Sequence, residues 1–246
     1  MAIISSISRV GTSEPFELQV SRNQVGWHYP LFKYGYNPLI INVNETIWDG
    51  GGIYSYPASA LAMTVTSAGG ATDEDVRVTV IGLDTDWKEA QQEVTLDGSG
   101  VATTTQTFRR VFRAYVSGSQ APTGNITIAN GGTTYAQITN GENQTLMAVY
   151  TVPAGHTFYL TNGTATHGTG TSGGVYMTVR FMLREFGGVF RTATKIDIVE
   201  SEVLFPFTFP LRIPEKSDIE VRAICNKNQN NAVSATFEGV LIWNGD

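Results

Sequence analysis

The sequence has little of the two residue types that most often bind transition metals. Its 246 residues contain one cysteine, Cys225, and three histidines, His28, His156 and His167. A single cysteine excludes any disulfide within the chain, and none of these four residues has the i, i+2 or i, i+4 spacing of a ligand pair. The sequence therefore predicts no zinc or iron site and no cofactor, and the alternating strand pattern around Cys225 predicts that it is a small buried side chain.

Charge and long apolar runs are scarce as well. Charged residues make up 15% of the chain, compared with about 25% in an average soluble protein, and the net charge is −6. Lysine and arginine form no cluster, which argues against nucleic acid as a partner. No run approaches the roughly eighteen apolar residues of a membrane span, and the N-terminus lacks the basic start and apolar run of a signal peptide. We therefore expect a protein made in the cytoplasm, with no membrane partner.

What the sequence does contain is the alternation of β-strands, most clearly in residues 173–184, GGVYMTVRFMLR. Every second residue from Val175 to Leu183 is apolar, whereas Arg180 and Arg184 lie on the other side of the alternation. A period of two residues is typical of a strand with one buried face. We predict that this strand turns its cationic face towards solvent or a partner.

Similar strands and turns cover most of the chain. Seven or eight strands are predicted from about residue 146 onwards, with the turn spacing of a sandwich or jelly roll. The best helix candidate, residues 84–92, is too short to be stable by propensity, so a hairpin is predicted there. The prolines in residues 205–211 place that strand at an edge or corner, because proline cannot donate to a central ladder. The predicted fold class is an all-β, antiparallel β-sandwich or jelly roll.

Composition and turns divide the chain into three predicted parts. Residues 1–41 are predicted to be an extended N-terminal arm, residues 42–120 a β-rich subdomain, and residues 121–246 a jelly-roll-like sandwich, with the boundary in the loop at 117–124. The arm is too aromatic for a disordered tail. It must therefore lie against its own domain or, as we prefer, against a neighbouring subunit. Its aromatic side chains are Trp27, Tyr29, Phe32, Tyr34 and Tyr36.

Three patterns suggest chemistry without supporting it well. Residues 170–174 match the Gly-x-Ser-x-Gly nucleophile pattern, but a strand follows instead of a helix, and no histidine follows Ser172. A calcium site in the acidic turns is left open, although the ligand pattern fails at Lys88; these turns contain Asp73, Glu74, Asp75, Asp84 and Asp86. A carboxylate pair for glycoside hydrolysis is set by the fold, so spacing does not decide it. We predict that the protein is not an enzyme.

Six segments, in this order, resemble a set of virion structural proteins from tailed bacteriophages, notably phages of marine and freshwater bacteria. The similarity runs from about residue 33 to near the end of the chain and does not include the first thirty residues. The segments are residues 33–38 (KYGYNP), 45–57 (ETIWDGGGIYSYP), 82–84 (GLD), 149–155 (VYTVPAG), 184–191 (REFGGVFR) and 214–223 (PEKSDIEVRA).

The resemblance implies a non-enzymatic virion component that binds other phage structural proteins, either as a capsid-decorating (cement) protein or as a neck or tail protein. The alternative is a host-recognition module of the tail that binds glycans. A homo-oligomer is expected because an arm and edge strands need partners, and a trimer is favoured. The predicted subunit interface combines the five arm aromatics with three arginines, for which we also expect ion pairs within the sandwich or with an adjacent subunit: Arg180, Arg184 and Arg191.

Overall fold

The structure is a computed structural model that describes residues 14–168, 174–199, 202–228 and 230–245. These residues form one short helix, α1 (Phe16–Ser21), a 3-10 turn (Gly70–Asp73) and antiparallel β-strands, which confirms the predicted all-β class. The strands are β1 (His28–Ile40), β2 (Glu45–Thr46), β3 (Leu61–Ser67), β4 (Arg77–Leu83), β5 (Glu89–Thr95), β6 (Val101–Phe108), β7 (Arg110–Val116), β8 (Ile126–Asn130), β9 (Thr133–Ile138), β10 (Val149–Thr151), β11 (His156–His167), β12 (Met177–Arg184), β13 (Arg191–Ile198), β14 (Glu202–Ile213), β15 (Asp218–Cys225) and β16 (Asn231–Trp243).

Two sheets form a jelly roll. Sheet A has the strand order β1-β16-β11-β14, and sheet B has the order β10-β15-β12-β13, with β2 also paired to β15. If β2 and β10 count as two halves of one position, the eight positions follow the orders 1-8-3-6 and 2-7-4-5. This is the arrangement of an eight-stranded jelly roll built from two Greek keys. The predicted jelly roll is confirmed, and the proline-containing strand β14 lies at an edge of sheet A, as predicted.

Aromatic side chains fill the space between the two sheets. Phe158 and Phe237 of sheet A are fully buried, and Phe181 of sheet B packs edge-on to Phe237 with ring centroids 5.6 Å apart. Each such burial stabilises the fold by about 1.5–3 kcal/mol. Cys225 is 2% exposed in the same core, which confirms the prediction of a small buried side chain.

Strands β3 to β9 form a second unit that is inserted between the two halves of the interrupted jelly-roll position. It consists of two sheets, β6-β3-β8-β9 and β5-β4-β7, and has a hydrophobic core of its own. The chain enters and leaves this inserted unit at one place. The Ala148 amide donates to the Ile47 carbonyl at 3.0 Å, and the Asp49 amide donates to the Leu146 carbonyl at 3.2 Å.

The two units differ from the predicted division of the chain at residues 120 and 121. Strand β8 follows that boundary but pairs with β3, which precedes it, in a register that aligns Ile128 with Val65. The loop at 117–124 is therefore a connection inside the inserted unit. The boundary was predicted in this loop because Gly118 and Pro122 indicate a turn. The interruption of a jelly-roll strand has no comparable signal in the sequence.

Residues 28–40 differ from the predicted extended arm. They form β1, which pairs with β16 from His28 opposite Ile242 to Asn37 opposite Val233. Its inward side carries Lys33, Gly35 and Asn37, which are polar or small, whereas Phe32, Tyr34 and Tyr36 lie on the other side. The expected pattern of apolar residues inside and polar residues outside is thus reversed, which explains why periodicity missed this strand.

The predicted hairpin at residues 84–92 is confirmed. Strands β4 and β5 pair from Arg77 opposite Thr95 to Leu83 opposite Glu89. The turn is closed by Asp84, whose Oδ1 accepts hydrogen bonds from the amides of Asp86 at 2.8 Å and Lys88 at 3.0 Å. Such local bonds from an aspartate side chain favour a turn over a helix.

Candidate functional site

Polar side chains of both units meet on the outer face of sheet B, around the buried carboxylate of Asp218. Arg110 of the inserted unit donates to it through Nε at 2.7 Å and Nη2 at 3.1 Å. Arg184 of β12 donates through Nε at 2.9 Å and Nη2 at 2.6 Å. Thr151 adds a hydroxyl bond at 2.7 Å. One carboxylate with 4% of its side chain exposed therefore joins two guanidinium groups from different units.

Backbone geometry positions Asp218 and its two arginine partners. Arg184 lies directly opposite Asp218 in the register between β12 and β15. Arg110 begins β7 beside a register shift at Gly82, where an added Cβ would lie 1.8 Å from the Arg110 carbonyl oxygen. Only glycine permits so close an approach of the two backbones. The position of Arg110 thus depends on the lack of a side chain at residue 82.

A second buried carboxylate, Glu220, lies two residues further along β15 on the same face. It pairs with Arg222 and accepts hydrogen bonds from the hydroxyls of Thr46 at 3.1 Å and Tyr56 at 3.4 Å. Burial raises the pKa of the Glu220 carboxyl and outweighs the opposite effect of Arg222 and these hydrogen bonds. Asp218 and Glu220, with the arginines that pair with them, form a polar layer on the outer face of sheet B.

Aromatic rings separate the cations of this layer. The Tyr56 ring lies 5.1 Å from the Arg110 guanidinium and 4.5 Å from that of Arg184. Phe190 lies 4.5 Å from Arg184 and 4.9 Å from Arg222. Rings at these distances attract cations, by about 0.5–2 kcal/mol each. The aromatic residues therefore help to hold several guanidinium groups close together.

Trp87, in the turn between β4 and β5, connects the inserted unit to a jelly-roll loop. Its φ of 65° is unusual for a large side chain. Its carbonyl accepts a hydrogen bond from the Ala154 amide at 2.8 Å, and its ring lies 5.1 Å from Arg109 and 4.7 Å from Arg110. These contacts, which include a hydrogen bond from the jelly roll, hold the strained backbone of Trp87 in place.

Beside this layer lies an open cavity of about 360 Å³, which we call the junction cavity. Its floor contains the buried residues Arg110 and Asp218. The exposed turn between β12 and β13 forms part of its rim, together with two further cations, Arg109 and Lys216. Both units contribute to the cavity, so it exists only when they are assembled.

The five predicted aromatic interface residues lie on or beside β1 in sheet A. Phe32 is 61% exposed and Tyr34 38% exposed on the outer face of the sheet, and Tyr36 is half-buried. Trp27 is exposed and contacts Trp243 with ring centroids 4.4 Å apart, and Tyr29 is exposed beside His156.

The three predicted arginines lie on the opposite layer, sheet B, so the structure does not bring them together with the aromatic residues. Arg180 donates to the Asn44 side chain at 3.3 Å. The predicted ion pairs are confirmed for Arg184, which binds Asp218, and for Arg191, which binds Glu185 at 2.8 Å. The Arg191 pair is exposed, and such pairs contribute little stability.

Asp218 and Arg110 are the central residues that sequence reasoning missed. A signal was present in β15, because Asp218, Glu220 and Arg222 occupy one side of a strand whose other side is apolar. Charged residues at alternate positions of a strand are ordinarily interpreted as side chains that face solvent. Here they face a second unit, and the identity of that unit could not be deduced from the pattern.

The acidic turns act as local structural clamps. Asp73 is buried and accepts hydrogen bonds from Ser67 and from the amide and hydroxyl of Thr123, both at 2.8 Å. Burial alone would raise the pKa of this carboxyl, but the hydrogen bonds lower it overall. In the part of the chain that the structure describes, no three His, Cys, Asp or Glu side chains are grouped so that they could hold a metal ion. The Gly-x-Ser-x-Gly match at 170–174 lies, except for Gly174, outside the described residues.

Lys33 of β1 is buried near the inserted unit, where its Nζ donates to the Phe112 carbonyl at 2.5 Å. Burial, with a smaller effect of Arg113, lowers its pKa from 10.5 to about 7.

Between these two pKa values of Lys33 the unfolded chain binds a proton that the folded chain does not, so stability should rise with pH, by up to about 1.4 kcal/mol per pH unit. In Lys33→Met this contribution should be absent, and the variant should gain stability relative to the natural protein as the pH falls from 10 to 7. Denaturant unfolding of both proteins at several pH values measures the difference, and a pH-independent difference would contradict the expectation.

Comparison with known proteins gives solved structures of low similarity, three of which are described here. No protein-family model matches the chain, and no curated protein matches it. T=1 particles derived from infectious bursal virus share 13% identity over 89% of this chain and 70% of that chain, with a TM-score of 0.28. The structure of the infectious bursal disease virus Gx strain shares 12% identity over 89% of this chain and 72% of that chain, with a TM-score of 0.27. The structure of the VP2 subviral particle of that virus shares 11% identity over 89% of this chain and 72% of that chain, with a TM-score of 0.25.

TM-scores below 0.5 do not establish a shared fold, so these structures carry no weight for the function of this chain. The jelly-roll assignment rests on the strand order of the chain itself. Among the residues that the structure describes, no helix has both the length and the apolar character needed to span a membrane.

Proposed function

We propose that this chain is a structural component of a tailed bacteriophage virion, where it holds subunits together as a capsid-decorating protein or as a part of the neck or tail. The six-segment resemblance supports this proposal. The jelly roll supports it too, because viral capsid domains commonly use this fold, although lectins and cupins share it.

The observation that carries the proposal is the presence of exposed apolar side chains along the two edges of the outer face of sheet A. The register places Tyr34, Thr236, Thr164 and Leu204 in one row across all four strands. Leu204 is 58% exposed, and Phe32, in the next row, is 61% exposed. Exposed apolar side chains at both edges of one sheet face indicate a surface that binds another protein.

The middle of this face is flat and polar. Thr164 pairs with Thr236 at 2.6 Å, and Thr166 pairs with Ser234 in the neighbouring row. Short hydroxyl side chains permit close approach of a partner, while the aromatic and aliphatic residues at the two edges supply the apolar area. We infer that the face binds a further copy of the chain or another virion protein and that the assembled state is a homo-oligomer, with a trimer favoured.

Virion assembly with the Phe32→Ser/Leu204→Ser variant tests this function. Both side chains are exposed in the isolated chain, so the fold should remain intact. Burying such a side chain at a contact contributes about 1.5–3 kcal/mol, so virions should contain at least about tenfold fewer copies of the variant. Quantitative mass spectrometry of purified virions measures the copy number.

Val189→Ser is the matched control, because Val189 is 75% exposed on the turn between β12 and β13, away from sheet A. It should enter virions normally. Normal incorporation of the double variant would overturn the role of this face. The absence of the unmodified protein from virions would overturn the proposed function itself, and imaging of labelled virions would separate a position over the head from one at the tail.

A further inference from the structure

We propose that the junction cavity binds a small ligand through an oxyanion group, such as a carboxylate, phosphate or sulfate. This inference is independent of the virion role and of the outer face of sheet A. It follows from the charge balance of the cavity, the state of its hydrogen-bond donors and its shape.

The cavity has more positive than negative charge available to a ligand. Asp218 is already shared by Arg110 and Arg184, and Glu185 on the rim pairs with Arg191. The described ion pairs therefore leave Arg109 and Lys216 without a carboxylate partner. Two lining cations in excess would attract an anion and would hold it more strongly than in water, because the cavity floor is buried.

The hydrogen bonds of the two adjacent arginines distinguish Arg110, which is fully engaged, from Arg109, which is not. Arg110 uses its remaining guanidinium nitrogen, Nη1, to donate to the carbonyls of Arg109 at 2.7 Å and Pro57 at 3.0 Å. Arg109, in contrast, has a buried Nε with no partner in the structure as described, and its Nη1 reaches only the Ala58 carbonyl at 3.5 Å. A buried donor without an acceptor is unfavourable, so a shift of the Arg109 side chain that brings Nε to an anionic oxygen in the cavity would be favoured.

The size and chemistry of the cavity limit the ligand. Its volume of about 360 Å³ lies at the lower end of the range for small-molecule sites, about 300–1,000 Å³. Guanidinium groups match the planar or tetrahedral oxygens of carboxylate, phosphate and sulfate. Phe186 on the rim lies 5.7 Å from Lys216 Nζ and is 65% exposed, so it offers an apolar surface beside the cations. The shared chemistry is an oxyanion, either free or carried by an acidic saccharide.

Isothermal titration calorimetry at constant ionic strength tests the proposal with four probes: inorganic phosphate, inorganic sulfate, glucuronic acid and glucose. We expect saturable binding of at least one of the three anions and no binding of glucose. Arg109→Gln and Lys216→Gln should each weaken the anion by about tenfold or more, since a hydrogen bond to a charged group contributes about 1.5–3 kcal/mol. Neither residue pairs with Asp218, so both variants should fold.

Arg212→Gln is the control, because it removes an exposed arginine of β14 outside the cavity. It should bind the anion as tightly as the natural protein. This control also separates site binding from the general stabilisation of proteins by phosphate and sulfate, which would be the same in all variants. Tighter binding of glucuronic acid than of the inorganic anions would support a saccharide source, and the reverse order would support a free ion. No saturable anion binding, or equal binding by the two cavity variants and the natural protein, would overturn the proposal.

Discussion

Asp218→Asn should destabilise the protein by about 3–5 kcal/mol, the usual cost of removing one partner of a buried ion pair. The asparagine has nearly the same shape as the aspartate but no charge. Two guanidinium groups would then remain at the junction without the carboxylate that they share. Because Arg110 belongs to the inserted unit and Arg184 to the jelly roll, the loss should also weaken the attachment of one unit to the other.

Denaturant unfolding measures the loss of stability, and calorimetry shows whether the two units still unfold together. The natural protein should unfold in one transition if the junction couples the two cores, whereas Asp218→Asn should shift the midpoint strongly and separate the transitions. Glu185→Gln removes a carboxylate from an exposed ion pair with Arg191 and should change stability by less than about 1 kcal/mol. A similar small change in Asp218→Asn would show that the buried network contributes little.

Gly82→Ala should be comparably damaging, with a loss of stability of about 3 kcal/mol or more, at or above the usual range for overpacking. The added Cβ would lie 1.8 Å from the Arg110 carbonyl oxygen, which is backbone and cannot rotate away. Strand β7 would have to move, and the Arg110 side chain would move with it. The substitution should therefore weaken both the inserted unit and its bond to Asp218.

Thermal unfolding of Gly82→Ala and Gly26→Ala compares two chemically identical changes. Gly26 has no atom within 4 Å of an added Cβ, so its substitution should be tolerated. A stable Gly82→Ala protein would contradict the close approach of β4 and β7.

The sequence was sufficient to predict features that depend on neighbouring residues. The turn at Asp84 follows from a side chain that binds its own backbone, and the edge position of β14 follows from its prolines. The apolar alternation from Val175 to Leu183 marks the core face of β12. Each of these features has a local physical cause that a sequence pattern records.

Features that depend on distant contacts escaped prediction. Strand β1 was missed because Lys33 and Gly35 face inwards and Tyr34 faces outwards. Lys33 is accommodated by a carbonyl of the inserted unit, and Gly35 by the close backbone of Ala148. The burial of the polar face of β15 was not predicted because nothing nearby in the sequence indicated Arg110 as its partner, 108 residues away.

The hydrogen bond between Ile47 and Ala148 also bears on how such a chain can be rebuilt. Both ends of the inserted unit meet at one point, so it can be regarded as a cassette whose excision would leave two termini close enough for a short turn to join. The jelly roll would keep its eight strand positions. Its outer charges, Asp218 and Glu220, would lose their cover, so any replacement cassette must bring a cation to the place of Arg110 and a ring to that of Tyr56.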